Sequence, residues 1–124
     1  MSERMRRVNE ALREVLSESV GELKDPRIGF VTVTGVRAST DLRQATVYVS
    51  VLGSERRRRA TLAGLESSRA VLQGRVNREL HLKRTPQLLF EYDDTVERGV
   101  RLSQLIDTLS PDERDPEEGS AADR

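Results

Sequence analysis

The run QATVYVSV, Gln44–Val51, is the strictest pattern in the chain. Ala45, Val47, Val49 and Val51 share one face, and Thr46, Tyr48 and Ser50 share the other. Alternation of period two, with β-branched residues on the apolar side, describes a strand that is wet on one face and buried on the other. A one-faced sheet of this kind is typically antiparallel, and an apolar layer must cover its inner side. Phe30–Val36 repeats the pattern more loosely, with Val31 and Val33 set against Thr32 and Thr34. The polar connection RASTDLRQ is short enough to join the two runs as a hairpin. A third run lies in RTPQLLFEYDD, where Leu88, Phe90 and Tyr92 fall on one face.

The cover for such a sheet has to come from helices. Residues 4–24 carry Met5, Val8, Leu12, Val15, Leu16 and Leu23 at helical spacing, with Glu10, Arg13, Glu14 and Glu18 on the solvated side. KDPRIG then ends the helix: Pro26 cannot continue it, and Asp25 before a proline is pushed out of the α region. Ser54 is a suitable N-cap for a second helix, with Glu55 in its first turn. If that helix ran unbroken from Thr61 to Leu82, Leu62, Leu65, Leu72, Val76 and Leu80 would share an arc. Arg69 would fall inside the arc and Val71 outside it. Burying an unpaired arginine is costly. A break among Ser68, Arg69 and Ala70 resolves the conflict by letting two halves run in different phases. Gly74 weakens the second half by roughly 1 kcal/mol relative to Ala. A further helix is predicted over about Val96–Leu109, capped by Asp94 or Thr95, with Val100, Leu102, Leu105, Ile106 and Leu109 on its apolar side. The predicted class is α+β, with helices on one face of a three-stranded sheet.

The 124 residues suffice for one domain, and with 35% apolar residues its core is modest. The absence of cysteine excludes disulfides and thiolate metal sites, and a single histidine, His81, argues against a histidine metal centre or a catalytic triad. No apolar run approaches the roughly 20 residues that span a bilayer. The first residues, MSERMRRVNE, lack the apolar stretch of a signal peptide, so a cytoplasmic location is expected. The net charge of zero conceals an asymmetry. Ser110–Arg124 holds six acids and two arginines, a net −4, which leaves +4 on residues 1–109. The division predicted is a domain over 1–109 and an acidic, disordered tail over 110–124. Nineteen of the 21 basic residues are Arg, spread along the whole chain, as a compositional bias would leave them.

Basic charge is densest in Arg69–Arg84, where Arg69, Arg75, Arg78, Lys83 and Arg84 stand against Glu79 alone. Arg75 and Arg78, three apart, share a helix face opposite Leu72, Val76 and Leu80. Guanidinium groups on a rigid helix reach phosphates in bidentate geometry, and each phosphate neutralised releases counterions. RNA contact is the leading reading, and a solvated helix face is the plain alternative. Arg27, in KDPRIG, is a further RNA-binding candidate, although Asp25, Pro26 and Gly29 suffice to explain that segment as a turn. Arg56–Arg59 could extend this surface, but four consecutive arginines point around most of a helix and cannot all face one ligand. Glu91, Asp93, Asp94 and Asp41 raise a metal-dependent nuclease, but strand alternation turns Glu91 and Asp93 towards water, and Asp93 and Asp94 suit a helix cap. No catalytic residue, metal ligand or cofactor is therefore assigned. Phe30 and Phe90 are assigned to the core, Tyr92 to the Phe90 face, and only Tyr48 outward. Few stacking platforms remain, which favours recognition of RNA shape and backbone.

KDPRIG (Lys24–Gly29), DLRQATVYVS (Asp41–Ser50), LKRTPQLLFEYD (Leu82–Asp93) and ERG (Glu97–Gly99), in this order and at this spacing, resemble the ribosome-binding factor A family across about Arg4–Leu109. The resemblance implies a KH-like, type II domain of order α-β-β-α-kink-α-β with a C-terminal helix. It implies a monomeric, non-enzymatic assembly factor that binds the immature 30S subunit and 16S rRNA, aids late maturation and rRNA processing, and matters most in the cold. The family's Ala-x-Gly kink aligns with Ser68-Arg69-Ala70, so its sharpness here cannot rest on a glycine. Two rivals stand beside this reading: a module docking an acidic protein partner, and a small nuclease.

Overall fold

The computed structural model describes residues 2–95. Six elements lie there: α1 (Glu3–Gly21), β1 (Val31–Ala38), β2 (Gln44–Val51), α2 (Glu55–Ser67), α3 (Arg69–Glu79) and β3 (Gln87–Tyr92). The helix expected over about Val96–Leu109 and the acidic tail lie outside the described residues.

Ser2 caps α1, its hydroxyl accepting from the Met5 N–H at 3.1 Å. Leu12, Leu16 and Val20, four apart, form the buried stripe. The helix stops at Gly21, short of the expected residue 24. Glu22 and Leu23 donate to Ser19 and Val20, three residues back, and this tightened turn ends the α pattern.

β2 is the central strand. It pairs antiparallel with β1 and parallel with β3. A parallel pair needs a long crossover, which α2 and α3 supply. Ala45, Val47, Val49 and Val51 all point into the core, as alternation demands. β1 departs from strict alternation. Its register shifts between Val33 and Gly35, so Val33 and Val36, three apart, are both buried. A bulge of this kind inserts one extra residue and resets the facing. The other face of the sheet, with Thr32, Thr34, Thr46, Tyr48 and Ser50, stays open or half-open. The core is the single layer between this sheet and the helices, where Leu12, Leu16, Leu65, Leu72, Val76 and Leu88 meet the strand valines.

Phe30, expected in the core, is instead 83% exposed. It precedes the first ladder pair, Val31 with Val51, and alternation places it on the open side with Thr32 and Thr34. Strand phase, and not aromatic character, decides which side the ring takes.

The long basic helix breaks at Ser68. The Ser68 amide donates to Gly64 and Leu65, closing α2, while its carbonyl accepts from Leu72 and opens α3. Ser68 sits at φ −94°, ψ 5°, in the bridge region that any residue reaches. Among the described residues positive φ occurs only at Leu42 and Gly53, so the break needs no glycine.

KDPRIG folds back onto α2. The Asp25 carboxylate accepts from the Arg27 N–H at 2.9 Å, and the Asp25 carbonyl accepts from Ile28 at 3.0 Å. Buried Thr61 then accepts from the Gly29 N–H at 3.2 Å and donates to the Arg27 carbonyl at 3.4 Å. Ile28 lies against Gly64, where an added Cβ would meet Ile28 Cγ1 at 2.7 Å.

Candidate nucleic-acid interface

The segment joining α3 to β3 is pinned. Leu80 and Leu82 pack on the core, Pro86 is fully buried, and the Thr85 hydroxyl lies 3.1 Å from Asn77 Oδ1. With those anchors facing in, His81, Lys83 and Arg84 face out. Arg78, in the last turn of α3, is also exposed, and a cation there suits the helix dipole. Among the described residues, none of Arg78, Lys83 and Arg84 forms an ion pair with an acidic side chain.

The other three cations singled out from sequence are tied to acids. Arg75 Nη1 lies 2.6 Å from Glu22 Oε2, linking α3 to the end of α1. Arg69 pairs with Glu66 across the helix break, and its Nε is buried without a hydrogen-bond partner. Arg27 Nη2 lies 2.6 Å from Asp25 Oδ2. The Arg27 guanidinium, with the Arg27 N–H, holds the Asp25 carboxyl down at about 2. Spacing alone grouped Arg75 with Arg78; the structure separates them, one half-buried in a seam and one in solvent.

Arg43 was not singled out from sequence. It leaves the β1–β2 hairpin exposed, and its carbonyl accepts from the Gln87 N–H at 2.9 Å. That bond brings the hairpin to the start of β3, next to the Lys83–Arg84 segment. The Asp41 carboxyl is held below its ordinary range by the Ser39 hydroxyl first, then by the Arg43 N–H, with smaller pulls from the Arg43 and Arg84 charges. Only the strand register reveals this neighbourhood, and register is not written in local spacing.

Among the described residues no three His, Cys, Asp or Glu side chains gather as a metal-ligand group. Asp41 is occupied within its own hairpin. The Asp93 carboxylate accepts from the Thr95 N–H at 3.0 Å, in the manner of a turn or cap. Among the described residues no helix is long and apolar enough to cross a membrane.

Comparison with known proteins agrees with this architecture. The sequence pattern of the family Ribosome-binding factor A matches residues 4–106. A ribosome-binding factor A of Geobacter metallireducens is 45% identical over 114 residues, spanning 91% of this chain and 97% of the relative. The crystal structure of ribosome-binding factor A from Thermus thermophilus superposes with a TM-score of 0.65 at 28% identity, covering 71% of this chain and 93% of that one. A Thermus thermophilus ribosome-binding factor A homology model, fitted into a cryo-EM map of a 30S complex, gives a TM-score of 0.59 at 29% identity over 68% of this chain and 90% of that one. With the helix–hairpin–broken helix–strand order and the matched segments in place, the chain belongs to the ribosome-binding factor A family.

Proposed function

We propose that this protein binds the small ribosomal subunit in the cytoplasm, through the phosphates of 16S rRNA, and aids late subunit maturation without catalysing a reaction. The observation that carries the reading is the exposed set Arg78, Lys83 and Arg84, the last two turned outward between half-buried Leu82 and fully buried Pro86. Cations not held in a close ion pair are free to meet phosphate, and doing so releases condensed counterions. Family membership and the 30S complex described for a relative point the same way. Arg27, Arg69 and Arg75 act in this proposal by shaping the surface, and they meet RNA only if their acids are displaced.

The mechanism is occupancy. A bound protein shifts rRNA between two conformations only by the difference in its affinity for them. A hundredfold difference is worth about 2.7 kcal/mol, enough to reverse a tenfold bias to a tenfold bias the other way. A rigid basic ridge discriminates because phosphate spacing differs between a mature and an immature RNA fold.

The test is sedimentation of the full-length protein with purified 30S subunits. Wild type is expected to travel with 30S, and the Arg78→Ala/Lys83→Ala/Arg84→Ala variant to remain largely at the top of the gradient. Equal binding of the two would remove the basic set from the account. Failure of wild type to bind would overturn the reading itself. Saturable binding to a protein partner that survives RNase would move the protein-docking reading ahead.

A further inference from the structure

At the other end of the sheet the surface has a different character. Phe30 and Leu52, flanking the first pair of β1 and β2, are joined by a hydrogen bond from the Leu52 N–H to the Phe30 carbonyl at 3.1 Å. They are 83% and 77% exposed, two of the three large apolar side chains so exposed among the described residues. The stem of Arg57 crosses beside them. It lies over Gly29 and Gly53, where an added Cβ would stand 3.0 Å and 3.1 Å from its Cδ and Cγ. Two glycines thus seat this arginine against the backbone. Together with Ile28 these residues line a shallow hollow of about 500 Å³. Arg56 and Arg59 stand nearby on α2, also exposed.

We infer that this corner is a second RNA contact, in which the Phe30 ring stacks on an unpaired base and Arg57 meets the adjoining phosphate. The inference rests on the RNA-binding reading above and adds a site to it. Single-stranded RNA is recognised by an aromatic or guanidinium platform for the base within a positive groove for the backbone. Phe30 and Arg57 supply both within one hollow. A second copy of the chain fits poorly, because pairing this corner with itself would bring the two Arg57 charges together. The corner is separated from Lys83 and Arg84 by the length of β2, roughly 25 Å at about 3.3 Å per residue. The two sites therefore hold separate points on the RNA, one by stacking and one by charge.

The chain contains no tryptophan, so Phe30→Trp places a single reporter in the hollow. Full-length Phe30→Trp is titrated with a uridylate dodecamer and with a blunt RNA duplex of equal length. The single strand is expected to quench the indole and the duplex to leave it unchanged. Phe30→Ala should weaken single-strand binding roughly 5- to 150-fold, the range for loss of one stacked base. Its melting temperature should match wild type, since the ring is exposed. Unquenched emission during binding, equal quenching by duplex, or wild-type affinity in Phe30→Ala would each overturn the inference. If Phe30→Ala binds the dodecamer normally but loses 30S subunits, the corner docks a ribosomal protein and the assignment to RNA is wrong. The Arg78→Ala/Lys83→Ala/Arg84→Ala variant separates the two readings. Loss there with none in Phe30→Ala defeats this site alone, and the reverse pattern defeats the basic ridge alone.

Discussion

α2 and α3 are two halves of one interrupted helix, similar in their arginine content, yet they are packed in opposite ways. The outer side of α2 is clasped by the Lys24–Gly29 loop: Thr61 is fully buried and Gly64 lies under Ile28. On α3 the inner side is as dry, with Leu72 and Val76 at 0% exposure, but the outer side is bare, and Gly74 has no neighbour within 4 Å of where its Cβ would be. The same residue types thus take their meaning from what lies opposite. A glycine is a contact on one half and an entropic weakness on the other. An arginine facing Glu22 joins elements, and one facing water is available to a ligand.

That contrast can be broken by substitution. Thr61→Val keeps the shape and removes the hydroxyl, leaving the Gly29 N–H unpaired where loop meets helix. It should cost about 1 to 3 kcal/mol in denaturant unfolding, and a loss within a few tenths would mean that the loop is not clasped. Gly64→Ala should destabilise by about 1 to 2 kcal/mol, because overpacking against Ile28 outweighs the gain in helix propensity. Gly74→Ala should stabilise by roughly 1 kcal/mol, since only propensity changes. Thermal melting of the pair reads the sign directly, and equal signs would contradict the contrast.

The smallest effect concerns the clasp at low pH. Asp25 holds its proton more weakly in the fold, at about 2 against an ordinary 3.8, chiefly through Arg27. A depressed carboxyl contributes stability above its unfolded value and loses it as pH falls towards the folded one. Stability should therefore decline between about pH 4 and pH 2, and Asp25→Asn should flatten that part of the curve. An unchanged acid profile in Asp25→Asn would show that the pair adds nothing.

Much of this was legible in the residues, for physical reasons that differ by element. β2 was readable because its inner face is buried along its whole length, so every second residue reports the fold. The break at Ser68 was readable as a conflict, since no single phase could bury Leu72 and Val76 while freeing Arg69. The conflict is eased but not removed: Arg69 remains half-buried, paired with Glu66. The bulge in β1 was not read, although a glycine inside a strand pattern, Gly35, is its usual local mark. Phe30 was misplaced because residue type was preferred to phase. The split between Arg75 and Arg78 was beyond local reading. Glu22 reaches Arg75 only through the packing of α1 on α3, and nothing within α3 distinguishes the two arginines.

The central claim is that the cations without acidic partners, and not those already paired, meet rRNA phosphates. The most direct test is the salt dependence of 30S binding for wild type, Arg75→Ala and Arg78→Ala/Lys83→Ala/Arg84→Ala. Three lost phosphate contacts should flatten the slope of log affinity against log salt by about 2 to 3. Arg75→Ala should keep the wild-type slope, with a stability loss below about 1 kcal/mol. A triple variant with the wild-type slope, or an Arg75→Ala variant with the flatter one, would contradict the account.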